Sequence, residues 1–256
     1  MLLKEKVSLI TGAASLRSIG YATAELFAEH GSKVVVADVS MDDEILSTVR
    51  ASIVKKVGPH VSVHGFRCDV SNSQNCDRLV RQVIELHGTI DCLVHCAGIV
   101  RSQFFTDIDA QDLETMLDVN LKGTFYICQS VLRIFIERKA GSIVNLSSLA
   151  AQRGGGLVGG PHYAASKGGV LSLTKSIARE IGHLGIRANA VCPAMIDTPM
   201  LDGLSTERLT SITGGIPLQR IGTTREAAGA CLFLSCDLAG FITGATVDVN
   251  GGSHMH

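Results

Sequence analysis

Seven short apolar runs alternate along the chain with longer segments of helical periodicity, and this alternation constrains the fold more than any other feature. The predicted strands are Val7–Ile10, Lys33–Ala37, Val61–Phe66, Asp91–His95, Ser142–Leu146, Ile186–Cys192 and Thr246–Val249. The predicted helices are Ile19–His30, Asp42–Val57, Ser71–His87, Asp109–Arg138, Tyr163–Ile181 and Arg225–Ser235. Strands that alternate with helices form parallel βαβ units. We therefore predict a single α/β domain over residues 1–256, with a doubly wound sheet of about seven parallel strands flanked by helices.

The composition agrees with this architecture. Hydrophobic residues make up 46% of the 256 residues, aromatic residues make up only 4%, and Trp is absent. The interior must therefore be built from Val, Ile, Leu and Ala, which suits strands that are buried on both faces. The formal net charge of −1 leaves no basic surface of the kind that binds nucleic acid, so we expect no nucleic-acid partner.

No segment has the pattern of a targeting or membrane sequence. The first ten residues include Lys4, Glu5 and Lys6, and no apolar run approaches the roughly 20 residues that span a bilayer. We expect a soluble, cytoplasmic protein without a membrane partner. The eight cysteines show no Cys-x-x-Cys spacing, so they are interpreted as buried thiols and no metal site is expected. His254 and His256 are interpreted as tail residues rather than metal ligands.

The turn after the first predicted strand has the features of a phosphate-binding loop. It runs from Thr11 to Gly20 and leads directly into a helix. A glycine-bearing turn at a helix N-terminus leaves backbone N–H groups free to hold a pyrophosphate. Gly12 and Gly20 are eight residues apart, and the middle glycine of a G-x-x-x-G-x-G spacing is replaced by Ser18 or Leu16. We interpret this as a two-residue insertion; an ordinary βα turn is the alternative.

The residue after the second predicted strand points to the identity of a nucleotide. Asp38 follows Gly12 by 26 residues, and a carboxylate there accepts hydrogen bonds from ribose hydroxyls and repels a 2′-phosphate. This favours NAD. Arg17 in the loop favours NADP, because a guanidinium can pair with the extra phosphate. Asp38 carries more weight, since no basic residue immediately follows it. Asp69 and Val70, after the third strand, would flank the adenine, unless Asp69 only caps the next helix.

A tyrosine and a lysine four residues apart indicate acid–base chemistry. Tyr163 and Lys167 lie on one face of a predicted helix, so the ammonium can favour the phenolate and move a pKa of about 10 toward neutral pH. A tyrosine in that setting can act as a general acid or base. Ser147 and Ser148 end the strand-like run upstream, where either could bind the reacting oxygen or simply cap a βα turn.

Taken in order, these motifs resemble the short-chain dehydrogenase/reductase family over nearly the whole chain. The resemblance implies a Rossmann-type fold and a nicotinamide-dependent oxidoreductase. The matching positions are Thr11-Gly12, Asp69-Val70, His95-Cys96-Ala97-Gly98, Asn120, Ser148, Tyr163-x-x-x-Lys167, Pro193, Thr198-Pro199-Met200, Phe241-Ile242-Thr243-Gly244 and Asp248-Val249-Asn250-Gly251-Gly252.

The resemblance also implies a role for each residue of a catalytic set. Tyr163 would exchange a proton with the substrate oxygen, and Lys167 would lower its pKa and bind the nicotinamide ribose. Ser148 would stabilise the developing alkoxide, while Asn120 would kink its helix and hold a water that links Lys167 to solvent. The implied cofactor-binding residues are Gly12, Ser15, Arg17, Ser18, Ile19, Asp38, Asp69, Val70, Cys96, Ala97, Gly98, Tyr163, Lys167, Pro193, Ile196 and Thr198. Asn120 could instead be a solvated helix residue, and Thr198 could only cap the helix that follows it.

Three positions depart from the family pattern. His95-Cys96 stands where Asn-Asn is usual, so the hydrogen bonds of those asparagines must be replaced. Pro193-Ala194 replaces the common Pro-Gly at the nicotinamide end. The spacing from Ser148 to Tyr163 is about two residues longer than usual, which is consistent with an enlarged loop, Ala151–His162, over the substrate.

The substrate is less well defined by the sequence. Ser148, Gln152, His162, Tyr163 and Met200 are candidate substrate contacts, and Met195–Ile216 is expected to form a mobile lid. A structural role is the alternative for His162. Asp38 favours NAD-linked oxidation of a secondary alcohol, polyol or sugar alcohol; reduction of a 3-oxoacyl group with NADPH is the alternative, because Gly98–Arg101 and Pro217–Gly222 resemble that branch. A non-catalytic NAD sensor is a more remote alternative, and the family resemblance implies a homotetramer.

Overall fold

The computed structural model describes residues 1–155 and 158–255, and within them the predicted parallel sheet is confirmed. The strands are β1 (Val7–Thr11), β2 (Lys33–Asp38), β3 (Val63–Arg67), β4 (Cys92–His95), β5 (Gly141–Leu146), β6 (Ile186–Pro193) and β7 (Thr246–Val249). They lie in the order β3-β2-β1-β4-β5-β6-β7, and every pair is parallel. The strand order reverses between β1 and β4. This reversal opens a crevice at the carboxyl ends of the strands, where ligands bind in sheets of this kind.

The helices follow the predicted segments closely, with small differences at their ends. They are α1 (Ile19–Glu29), α2 (Asp43–Val57), α3 (Ser73–His87), α4 (Ala110–Leu117), α5 (Gly123–Arg138), α6 (Ala150–Arg153), α7 (Pro161–Ile181), α8 (Thr206–Gly214) and α9 (Thr224–Ser235). No described helix is long and apolar enough to cross a membrane.

Alternate strand residues fill two apolar layers, one on each side of the sheet. In β2, Val34 and Val36 pack into one layer, while Val35 and Ala37 pack into the other. All four are fully buried, because helices cover both faces of the sheet. The prediction of a core built from aliphatic residues is confirmed by these layers.

The helices differ from the predictions in two details. The segment Asp109–Arg138 is helical from Ala110 to Arg138, but a π-helical turn at Asp118–Lys122, which contains Asn120, lies between α4 and α5. The sequence also did not predict α6 and α8, which form within segments expected to be a loop and a lid. Both are short, and α6 has only four residues, so neither produces a strong periodic signal.

Candidate active site

A cavity of about 670 Å³ lies at the carboxyl ends of the strands, where the strand order reverses. Four of the predicted site residues do not line it: Arg17, Asn120, Gln152 and His162. The predicted residues that do line it are Gly12, Ser15, Ser18, Ile19, Asp38, Asp69, Val70, Cys96, Ala97, Gly98, Ser148, Tyr163, Lys167, Pro193, Ile196, Thr198 and Met200. The fold therefore brings the strand ends and the start of α7 to one cavity.

The loop after β1 can hold a pyrophosphate. Gly12 has a φ of 71°, and a Cβ there would lie 2.7 Å from the Ala97 nitrogen, so only glycine allows this close approach. Ser18 is the N-cap of α1 and accepts a hydrogen bond from the Tyr21 nitrogen at 3.0 Å. Ile19 and Gly20 line the cavity, and N–H groups in a first helical turn have no acceptor within the helix. The first turn of α1 contains no acidic residue, so an anion meets no carboxylate there.

Arg17 belongs to this loop but does not line the cavity. Its guanidinium contacts Asp197 at 3.1 Å and Asp202 at 3.0 Å, and both carboxylates belong to the segment expected to form the lid. These two partners raise the pKa of Arg17. The prediction that Arg17 binds cofactor phosphate is therefore not supported by its position, because its charge is already paired with two carboxylates.

Two carboxylates line the other side of the cavity. Asp38 accepts hydrogen bonds from the Ala14 nitrogen at 3.2 Å and from the nitrogen and hydroxyl of Ser40. Asp69 accepts hydrogen bonds from the nitrogen and hydroxyl of Ser71. The alternative role of Asp69 as a helix cap is wrong, because Asn72 is the N-cap of α3.

The His95-Cys96 departure has a structural explanation. The His95 Nδ1 atom lies 2.7 Å from the Thr11 hydroxyl, so histidine makes a side-chain hydrogen bond between the ends of β4 and β1. Burial lowers the pKa of His95 to about 3, which keeps the ring neutral. Cys96 lines the cavity, and burial raises the pKa of its thiol well above the ordinary value.

Tyr163, Ser148 and Lys167 line the same cavity. A hydrogen-bonding interaction with Ser148 lowers the pKa of Tyr163, but burial raises it and is the larger effect. The Ser147 hydroxyl instead donates to the Lys167 carbonyl oxygen at 2.8 Å. This hydrogen bond lies within the protein and gives Ser147 a structural role. This difference favours Ser148 over Ser147 as the residue that contacts a substrate.

Lys167 does not act on Tyr163 in the way the sequence predicted. Its Nζ atom donates to the Leu146 carbonyl oxygen at 2.8 Å, and burial lowers the pKa of the ammonium to about 8. Burial is the largest effect on the pKa of Tyr163 and raises it, so the lowering of the phenol pKa that was expected from Lys167 is not seen in this structure.

Asn120 lies in the π-helical turn and is fully buried, so it is not a solvated helix residue. Its Oδ1 atom accepts from the Ile99 nitrogen at 2.8 Å, and its Nδ2 atom donates to the Ile99 carbonyl oxygen at 2.9 Å and to the Ser166 hydroxyl at 3.1 Å. A Cβ at Gly98 would lie 3.0 Å from Oδ1 and 3.2 Å from the Lys167 Nζ atom. Asn120 is thus adjacent to Lys167, although it does not line the cavity itself.

Two of the expected substrate contacts lie outside the cavity. His162 is buried, and neither ring nitrogen has a hydrogen-bond partner among the described residues. Gln152 donates to the Asp248 carboxylate at 2.8 Å, at the edge of the sheet. Met200 does line the cavity, and its side chain is exposed. Within the enlarged loop, residues 156 and 157 lie outside the described part of the chain, as does His256.

The lid segment packs on one side of the cavity. Met195, Ile212 and Ile216 form a small apolar cluster, and Leu201 and Leu204 pack against it. Thr198 precedes a 3-10 turn at Pro199–Leu201 but makes no side-chain capping bond, so the capping alternative is wrong.

One charged residue of the cavity was missed by the sequence interpretation. Arg153 lines the cavity at the end of α6, five residues after Ser148. Its position in the enlarged loop before Tyr163 could have indicated that Arg153 lies near the substrate. None of the groups of histidine, cysteine and acidic side chains in residues 1–155 and 158–255 could hold a metal ion.

Comparison with known proteins identifies relatives over the full length. The family model described as enoyl-(acyl carrier protein) reductase matches residues 12–254. An uncharacterized short-chain type dehydrogenase/reductase of Sinorhizobium fredii is 42% identical over 257 residues and covers 100% of both chains. A 3-oxoacyl-[acyl-carrier-protein] reductase of Thermotoga maritima is 38% identical and covers 98% of this chain and 99% of its own. The crystal structure of gox2181 matches with a TM-score of 0.91 and 34% identity, over 98% of this chain and 96% of the other.

Proposed function

The chain belongs to the short-chain dehydrogenase/reductase family, and from that premise we propose that it oxidises a secondary alcohol, or reduces the corresponding ketone, with a nicotinamide cofactor. One observation carries the proposal. The hydroxyl groups of Tyr163 and Ser148 interact within a cavity that the glycine-bearing loop after β1 also lines. A protein that only binds a nucleotide has no need of this pair.

The residues present fit a dinucleotide cofactor. The first turn of α1 offers N–H groups to a pyrophosphate, and Asp38 offers a carboxylate to ribose hydroxyls. Ile196 and Thr198 would contact the nicotinamide end. The bound nicotinamide ring supplies the hydride donor or acceptor.

The chain itself moves the proton. Tyr163 would donate its phenolic proton to a ketone oxygen during reduction and accept it from the alcohol during oxidation. Since burial raises the pKa of Tyr163, the neutral phenol is ready to donate near neutral pH. Ser148 would donate a hydrogen bond to the same oxygen and stabilise negative charge as it develops.

Lys167 and Asn120 would support this centre. The Lys167 ammonium is anchored to the Leu146 carbonyl oxygen, and Asn120 fixes the loop that carries Ile99. Burial lowers the pKa of Lys167 to about 8, so the ammonium can release a proton near working pH. We propose that Lys167 binds the nicotinamide ribose and passes protons between Tyr163 and a water held near Asn120.

We propose NAD rather than NADP as the cofactor. Asp38 lines the cavity at the end of β2, where it would repel a 2′-phosphate. Arg17 would be the cation for that phosphate, but its guanidinium is paired with Asp197 and Asp202. Both observations support the same cofactor.

The substrate half of the cavity favours a largely hydrocarbon substrate. Its lining includes Leu149, Val158, Met195, Met200 and Leu201, whereas a polyol would need several polar partners. We therefore propose an aliphatic or cyclic secondary alcohol in preference to a sugar alcohol. Reduction of a 3-oxoacyl group is the second candidate, because the similar protein of Thermotoga maritima is named for that reaction.

The proposal is tested by following the change in nicotinamide absorbance with several classes of substrate. Secondary alcohols and polyols would be screened with NAD and NADP, and a 3-oxoacyl thioester with both reduced cofactors. We expect NAD-linked turnover of aliphatic alcohols, and a loss of about 100-fold or more in Tyr163→Phe without loss of NAD affinity. The control is Tyr126→Phe on α5, which lies outside the cavity. NAD binding with no turnover of any class would support a sensor instead.

We also propose a homotetramer. Large apolar side chains are exposed on the helices and near the C-terminus, including Leu113, Phe125, Phe233, Leu238 and Phe241. Subunit contacts would cover these side chains, and the family resemblance is what favours four subunits. Light scattering of the purified protein tests this, and a monomeric mass would contradict it.

A further inference from the structure

Arg153 is a cation that the proposed reaction does not use. It lies at the C-terminal end of α6, where its nitrogen donates to the Leu149 carbonyl oxygen at 3.1 Å. It lines the same cavity as Ser148 and Tyr163. Arg153 follows Ser148 by five residues, so a substrate that is held at Ser148 and extends along the cavity can meet the Arg153 side chain.

The C-terminal segment holds this side chain in place. The Arg153 guanidinium donates to the Ser253 carbonyl oxygen at 3.0 Å. Ser253 lies in a turn that Asn250 organises, since Asn250 accepts from the Gly252 nitrogen and from Ser253. The neighbouring Gln152 attaches α6 to the Asp248 carboxylate at the end of β7. Arg153 is an exposed residue, and this hydrogen bond links its guanidinium to the C-terminal segment.

Its charge is not neutralised within the described part of the chain. The Ser253 carbonyl is an uncharged acceptor, and no described carboxylate lies within 4 Å of the guanidinium. A guanidinium carries five N–H donors, so most remain available. The other charged residues that line the cavity are Asp38 and Asp69, at the adenosine side, and Lys167, which is anchored to Leu146.

We propose that Arg153 binds an anionic group of the substrate, so that the substrate is a secondary alcohol or ketone joined through a short hydrocarbon segment to a carboxylate or phosphate. An arginine guanidinium can pair with a carboxylate or a phosphate through two parallel N–H donors. The apolar walls formed by Val158, Met200 and Leu201 would cover the hydrocarbon segment. This inference rests on the proposed function, because it names the substrate class of the same site.

Matched acid and ester substrates test the proposal. The oxidation of 3-hydroxyhexanoate, of its methyl ester and of 3-hydroxyhexyl phosphate would be measured with NAD. Charged hydrogen bonds contribute enough that Arg153→Met is expected to raise KM for the acid about 10-fold or more, with kcat changed less than about threefold. The methyl ester is expected to keep its KM. A larger rise for the phosphate than for the carboxylate would identify phosphate as the natural anion.

Two further variants complete the test. Arg153→Lys, which keeps the charge but loses the two parallel donors, is expected to recover part of the affinity for the acid. Arg179→Met, on α7 outside the cavity, is the matched control and is expected to leave all three substrates unchanged. Equal losses for acid and ester in Arg153→Met, or no loss for either, would overturn the proposal.

A binding measurement separates this inference from the proposed function. Hexanoate would be titrated calorimetrically into Tyr163→Phe protein with NAD present, and into the same protein carrying Arg153→Met. Weaker binding in the second protein supports Arg153 as the anion site even if no alcohol is turned over. Equal binding in the two overturns the inference while leaving the proposed oxidoreductase activity to its own test.

Discussion

Arg17 and Asp197 are 180 residues apart in the chain, and their side chains meet at 3.1 Å. The contact joins the loop that precedes α1 to Met195–Ile216, the segment that is expected to form the lid. Asp202 makes a second contact with the same guanidinium. Both pairs are exposed to solvent, so they contribute little to global stability, and we expect them to hold Met195–Ile216 against this loop.

Replacement of Arg17 is expected to loosen the lid. In Arg17→Met we expect the dissociation constant for NAD to rise by up to about fivefold, with little change in the thermal midpoint, because exposed pairs contribute little to global stability. Trypsin would cleave faster after Arg208, which lies in the lid. High salt should reproduce part of this effect in the unmodified protein, since salt screens exposed charges.

The control for this variant is Arg133→Met on α5, which removes an ion pair with Asp77 on α3. It is expected to leave both NAD affinity and lid cleavage unchanged. Identical cleavage rates after Arg208 in Arg17→Met and in the unmodified protein would contradict a role of Arg17 in holding the lid.

Removal of the charge at Asp38 is expected to weaken selection for NAD. Asn keeps an oxygen that can accept from Ser40 or Ala14, but it no longer repels a phosphate. Since placing like charges together is costly, we expect the ratio of kcat/KM for NAD to that for NADP to fall at least about tenfold in Asp38→Asn. Asp43→Asn, on the exposed start of α2, is the control. An unchanged ratio would exclude Asp38 as the cofactor selector.

Substitutions of the two adjacent serines are expected to have different effects, one on catalysis and the other on stability. Ser148→Ala should lower kcat about 100-fold or more, because a donor to the reacting oxygen is lost. Ser147→Ala removes a buried hydrogen bond to the Lys167 carbonyl, so it should reduce the free energy of unfolding by about 1–3 kcal/mol with a smaller effect on kcat. Urea unfolding and steady-state kinetics on both variants measure this. The reverse pattern would reassign the substrate contact to Ser147.

His95 is expected to make the fold sensitive to acid. Its pKa is about 3 in the folded protein and near 6.5 when exposed, so the unfolded chain binds more protons between these values. Stability is therefore lost as pH falls from 6.5 toward 3, by on the order of 5 kcal/mol at the lower limit. In His95→Asn, which can still bond Thr11, this loss should disappear.

Urea unfolding of both proteins from pH 7 to pH 4 measures the difference. The free energy of unfolding of His95→Asn should rise relative to that of the unmodified protein as the pH decreases. His60→Asn, at an exposed position after α2, controls for the substitution itself. Parallel curves for His95→Asn and the unmodified protein would contradict the prediction.

Local patterns were sufficient to predict the elements of this fold. The apolar runs and helical periods predicted all seven strands and most helices, because each pattern reflects burial that repeats over neighbouring residues. The Tyr163-x-x-x-Lys167 spacing placed both side chains on one helical face for the same reason. The order of motifs then indicated the family and its cofactor class.

Contacts between distant segments were decided only by the tertiary structure. The π-helical turn at Asp118–Lys122 contains Asn120, whose side chain bonds to Ile99 and Ser166, and no period in Asp109–Arg138 encodes those partners. Arg17 would suit a phosphate by its position in the loop, yet its charge is paired with a lid that lies nearly 180 residues later. Burial in three dimensions also reversed the expected shift in the pKa of Tyr163. The sequence thus determined which elements form and which residue types reach the sheet edge, whereas long-range packing decided the partner and the ionisation of each functional side chain.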